Sequence, residues 1–194
     1  MKYKSTATDS KNKGTGFLLL SIMAAGGILF GAFFVSHGHS AASPLIHQYL
    51  APAENGKSFF RIFVHTFGSS AMFLLAAAIS GFSAVGQPIA SALLVYRGFG
   101  IGAASAAVYS ASGFGAAVPA IIASFPRTAA LLIISVLAVR ESIRSSLGIM
   151  YYLAKGEAVD RHTNELKLYF IRFAVLFFIS AVISIGDAVF SIAL

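Results

Sequence analysis

The sequence predicts an all-α, polytopic integral membrane protein. Three observations carry that prediction. Of 194 residues, 57% are hydrophobic and 11% charged, far below the roughly 25% charged of an ordinary soluble domain, and the mean hydropathy is +0.81. Apolar runs of the ~20 residues that a helix needs to cross a bilayer recur along the chain. Lysine and arginine gather mostly in two segments, with long apolar stretches between them. A water-soluble globule of this size has too much surface for its volume to hide so much apolar area. That excludes a soluble enzyme, a nucleic-acid reader and a disordered scaffold. Cysteine is absent, which removes disulfides, thiolate metal sites and a cysteine nucleophile. Tryptophan is absent too, so tyrosine and phenylalanine must supply any interfacial belt.

The elements follow in order. Residues 1–16 form a polar tail with Lys2, Lys4, Lys11 and Lys13. The first span, Phe17 to Val35, is longer than the ~7–15-residue core of a signal peptide and reads as an uncleaved anchor. An outer loop over 36–58 holds Pro44, Pro52 and three histidines, and Pro44 to Leu50 has the makings of a short interfacial helix. The second span covers Phe59 to Ser80. Glycine and proline punctuate the stretch Gly81 to Pro88 and predict a tight turn, with Gly86 and Pro88 as its markers. The third span runs from Ile89 to Ser110 and the fourth from Phe114 to Val139, the latter interrupted at Pro119 and Pro126. A charged segment, 140–167, precedes the fifth span, Leu168 to Phe190, and 191–194 are a short outer tail. One membrane domain thus covers 17–190.

Charge sets the orientation. With the N-terminus cytoplasmic, the tail and the 140–172 region lie inside and hold ten of the 14 Lys and Arg residues. Only Lys57 and Arg61 fall outside. Five spans then put the C-terminus outside. The net charge of +7 is largely a record of topology, with some attraction to anionic inner-leaflet lipid.

Three ionisable residues fall within spans: Arg97, Arg127 and Asp187. An unpaired charge in hydrocarbon costs several kcal/mol, so each marks either a polar path or an interhelical strut. A guanidinium after Pro126 also suits a carbonyl freed by the proline. Gly27 and Gly31 in the first span, and Gly98 and Gly102 in the third, share the four-residue spacing that lets helix backbones approach. Such faces serve an internal contact or a homo-oligomer. The alternating glycines at 98–102 also predict a loosened helix there. They are not a nucleotide loop, because no strand precedes them. His37, His39, His47 and His65 lie on the outer side, without the ligand spacing of a zinc site. No serine has a placed base and acid, and no His-Glu-x-x-His string occurs. The sequence therefore predicts no catalytic residue, no metal and no cofactor. Glu141 and Arg144 share a helical face, in a helix expected to continue to about Leu153 and to stop at Lys155-Gly156.

The order of these features resembles the stage II sporulation protein M family, five-span membrane proteins of endospore-forming bacteria. The resemblance covers nearly the whole chain after residue 16. It rests on Gly27-Ile-Leu-Phe-Gly31, on Gly81-Phe-Ser-Ala-Val-Gly86-Gln-Pro88, on Arg97-Gly98-Phe99-Gly100-Ile-Gly102, on Gly113-Phe-Gly115 and on Phe125-Pro126-Arg127. Arg127 departs from the pattern, which often has an uncharged polar residue or histidine there. The resemblance implies a non-catalytic anchor in the septal membrane during engulfment. It also implies that the anchor recruits the cell-wall hydrolase stage II sporulation protein P and works with stage II sporulation protein D. The outer loop would be the docking surface, and partner helices could pack on the glycine faces. The competing expectation is a permease subunit that uses Arg97, Arg127 and Asp187 as a polar path.

Overall fold

A computed structural model describes residues 5–37, 59–155 and 162–193. Most of the outer loop, with Pro44 to Leu50, His39 and His47, lies outside the described residues, as do 156–161. Among the described residues there are four helices and no strand: α1 (Ser5–Ser36), α2 (Phe59–Ser80), α3 (Gly86–Lys155) and α4 (His162–Ala193). Four helical segments are long and apolar enough to cross a membrane: Gly16–Ser36, Ile62–Ser80, Gly86–Ser110 and Leu166–Val189. The protein is a polytopic α-helical membrane protein.

Helix α1 extends from the apolar run back into the basic tail, so Lys11 and Lys13 are helical. The predicted turn forms between α2 and α3. The Gly81 N–H reaches the carbonyls of Ala77 and Ala78, and the Gly86 N–H reaches that of Ser83 at 3.0 Å. A Cβ at Gly86 would overlap the Ser80 carbonyl, so the turn requires glycine there. Pro88 sits in the first turn of α3, where a backbone N–H has no helical partner to lose.

Helix α3 is helical over 70 residues. A straight rod of that length would run about 105 Å. Yet Gly86, its first residue, lies against the side chain of Ser146. The chain therefore doubles back within α3. Arg97 and Arg127 contact Ser70 and Thr66, one turn apart on α2, so the reversal lies between them. The break expected between the third and fourth spans, after Ser110 and before Phe114, falls in this stretch, but the backbone there is helical. Helical structure also runs through Pro126, where the sequence predicts an interruption. Nearby hydroxyls supply extra hydrogen bonds to the backbone there: Ser124 Oγ donates to Ile121 O and Thr128 Oγ1 to Ser124 O, at 3.1 and 2.8 Å. The helix is likewise unbroken at Gly98–Gly102.

We call residues 86–110 the outgoing limb and 127–155 the return limb. The outgoing limb runs antiparallel to α2, pairing Gly86 with Ser80 and Arg97 with Ser70. The return limb runs parallel to α2, pairing Arg127 with Thr66 and Ser142 with Ser80. The expected fourth span, Phe114 to Val139, falls across the reversal and the first half of this limb, and it is not among the four segments long and apolar enough to cross. The core lies between α2, both limbs and α4, and includes Leu74, Ala77, Leu94, Val136, Val139, Phe173 and Leu176. Outward-facing Leu18, Leu29, Phe60, Met72, Ile79 and Phe178 are well exposed, as a lipid-facing surface requires.

An interhelical polar cluster as the candidate functional site

The three intramembrane charges converge on one stripe of α2. Thr66 and Ser70 are one helical turn apart and buried, and Phe73 follows on the same side. Arg127 Nη1 lies 3.2 Å from Asp187 Oδ2. Arg127 Nη2 donates to Thr66 Oγ1 at 3.3 Å, and that hydroxyl donates to Asp187 Oδ2 at 3.2 Å. The return limb, α2 and α4 are thus joined by one closed triangle. The side chains of Arg127 and Asp187 are 26% and 13% exposed, so the pair is only partly desolvated.

Arg97, on the outgoing limb, is 5% exposed. Its Nη2 donates to Ser70 Oγ at 3.2 Å, and its guanidinium carbon stands 4.8 Å from the centre of the Phe73 ring. This cation–π contact stabilises a desolvated guanidinium. The sequence places Arg97, Arg127 and Asp187 in spans; the structure brings all three to α2, and joins two of them directly. Thr66 and Ser70 escape a charge-based reading because they are uncharged; their four-residue spacing is the only signal for them. His65, on α2 next to Thr66, is exposed and stands outside this cluster. His37 closes α1, with its Nδ1 3.1 Å from Phe33 O. No group of three potential metal ligands occurs among the described residues.

A second polar layer lies about 21 Å along α2 from Thr66. Ser80 and Ser142 hydroxyls are 2.8 Å apart, Ser146 Oγ donates to Ser83 O at 2.7 Å, and Tyr169 OH donates to Ala78 O at 2.8 Å. These bonds fasten the Gly81–Val85 turn to the return limb and α4. Beside them Arg172 pairs with Glu141. The sequence pairs Glu141 with Arg144 on its own helix; the fold adds Arg172, because α4 runs beside the return limb at that level.

The glycine faces meet each other. A Cβ on Gly27 would overlap Val95 O, and one on Gly31 would overlap Phe99 O. Reciprocally, a Cβ on Gly98 would overlap Ala24 O, and one on Gly102 would overlap Ile28 O. Helix α1 is therefore seated backbone to backbone on the outgoing limb and runs parallel to it. Of the two uses expected of these faces, the structure shows the internal contact, which leaves no free glycine face there for a partner helix or a second copy. They are already filled, because two small-residue stripes on one chain give the closest approach available.

No curated protein and no solved structure matches the chain. A family model does, the one described as stage II sporulation protein M, and it matches residues 19–184. That interval contains both glycine stripes, the Gly81–Pro88 turn, Arg97 and Arg127, and stops just before Asp187. The chain belongs to the stage II sporulation protein M family, a sporulation-related family of membrane proteins.

Proposed function

We propose that this protein is a non-catalytic membrane platform that recruits and stabilises peptidoglycan-remodelling enzymes at the sporulation septum during engulfment. Family membership supports the setting. The observation that carries the platform reading is the use of the intramembrane charges. Arg127 and Asp187 neutralise each other across Thr66, and Arg97 is packed on Phe73 and Ser70. Each charge acts as a strut between helices, and a strut has no need to move or to release a solute. The partners are stage II sporulation proteins P and D, wall enzymes that work outside the membrane. With five crossings, the return limb being the fourth, the N-terminus is cytoplasmic and the C-terminus outside. The outer loop 36–58 and the adjoining helix ends then form the docking surface.

The test is co-purification from sporulating cells in mild detergent, through a tag on the N-terminus. A peptidoglycan hydrolase should be recovered, and scrambling residues 36–60 should abolish that recovery. Recovery of a nucleotide-hydrolysing subunit instead would favour the permease reading, in which the partial exposure of Arg127 marks the mouth of a path. In that case Arg97→Gln or Asp187→Asn abolishes solute flux in folded protein. A platform with either substitution retains its partner as long as it folds.

A further inference from the structure

The surface between α1 and the outgoing limb carries an open groove of about 620 Å³. Pro88, Ala92 and Tyr96 line it on α3, and Met23 and Phe30 on α1, with almost no polar surface. Phe99 ends it: its ring centre stands 5.9 Å from that of Phe30, which lines the other side. Phe99 lies at the middle of the Gly86–Ser110 segment and Pro88 near its start. From Pro88 to Phe99 the groove runs about 16 Å at 1.5 Å per residue, which is half of a ~30 Å hydrocarbon core.

We infer that this groove seats an acyl chain of one anionic phospholipid. The shape selects a chain over a helix. A partner helix crosses the whole hydrocarbon core and needs a face of small residues running through it. Here the small-residue faces of both helices are buried against each other, and an aromatic pair closes the groove at mid-membrane. A lipid tail starts at the interface and ends at the bilayer centre, as this groove does. The charge selects the headgroup. The glycine contacts set Ala24 beside Gly98 on parallel helices, so the Pro88 end is level with the start of the α1 span. Helix α1 continues beyond that point and carries Lys13 and Lys11 within its next two turns. Lysines at the interface attract an anionic headgroup and are indifferent to a zwitterionic one.

The test uses the full-length protein, delipidated in detergent and titrated with dipalmitoyl-phosphatidylglycerol or dipalmitoyl-phosphatidylcholine, with bound lipid counted by native mass spectrometry. One phosphatidylglycerol per chain should be retained, with at least about fivefold preference over phosphatidylcholine. Ala92→Phe, at an exposed position within the groove, should abolish retention of both lipids. Lys11→Gln with Lys13→Gln should keep retention and erase the preference. Elution volume and lipid-free unfolding temperature equal to those of the parent establish that the variants fold. Should Ala92→Phe misfold, the lysine double variant, outside the groove, decides alone through the preference. Retention unchanged by Ala92→Phe, or no preference in the parent, overturns the proposal. So does a dimer that Ala92→Phe dissociates, which would make a second copy the occupant.

Discussion

Arg127 and Asp187, on different helices and far apart in sequence, meet at 3.2 Å with the Thr66 hydroxyl bonded to both. Removing one partner leaves the other partly buried and uncompensated. For a fully buried pair the loss is about 3–5 kcal/mol, and the partial exposure of this pair lowers it to about 1–3 kcal/mol. Asp187→Leu and Arg127→Leu should each lower stability by that amount. The double variant should be less damaging than the two singles added together, because it strands no charge. Unfolding in mild detergent, read as a double-mutant cycle, measures the coupling, and strict additivity would refute it.

Two neighbouring glycines should behave oppositely. Gly26 has open space where a Cβ would be, whereas a Cβ on Gly27 would overlap Val95 O. Gly26→Ala should be neutral, or stabilising by up to about 1 kcal/mol through helix propensity. Gly27→Ala should be destabilising, and Gly31→Leu and Gly102→Leu more so. Thermal unfolding of the matched set is the measurement.

Tyr169 and Gly81 should be energetically linked. The phenol donates to Ala78 O, and a Cβ on Gly81 would collide with the same hydroxyl. Tyr169→Phe should cost about 0.5–1.5 kcal/mol, the net value of one hydrogen bond. Gly81→Ala should cost more alone than in the Tyr169→Phe background, because the hydroxyl it strikes is then gone. Equal costs in both backgrounds would show that the collision is relieved elsewhere.

Much of this architecture is legible in the sequence, since hydropathy marks where the helices cross and glycine with proline marks the turn after Ser80. What the sequence hides are matters of pairing. A four-residue glycine spacing announces a close approach without naming the mate; Gly27 and Gly98 turn out to be opposite sides of one seam. Thr66 and Ser70 carry the polar cluster, yet an uncharged hydroxyl in an apolar run carries little signal by itself. The Arg172 contact of Glu141 depends on which helix the fold places alongside. The reversal inside α3 is legible as the break between the third and fourth spans; what the sequence does not show is that the backbone stays helical through Gly113, Gly115 and Pro126.

Orientation has a direct chemical test, because the chain has no native cysteine to confuse it. Single cysteines at Ser10, Ser83 and Glu157 should react with a membrane-impermeant maleimide only after the cytoplasmic side is exposed. Cysteines at Ser40, Gly113 and Ala193 should react from outside. Reaction at Gly113 from the cytoplasmic side would mean that α3 turns back without crossing, and the span count would fall.

The seam between α1 and α3 also orders events in time. The surface that receives Gly27 and Gly31 is built from residues up to Ala103, which are synthesised after α2 and the turn. At about 5–20 residues per second, roughly 3–13 s separate the completion of α1 from that of its mate. Helix α1 is therefore seated only after α2 and the outgoing limb have emerged.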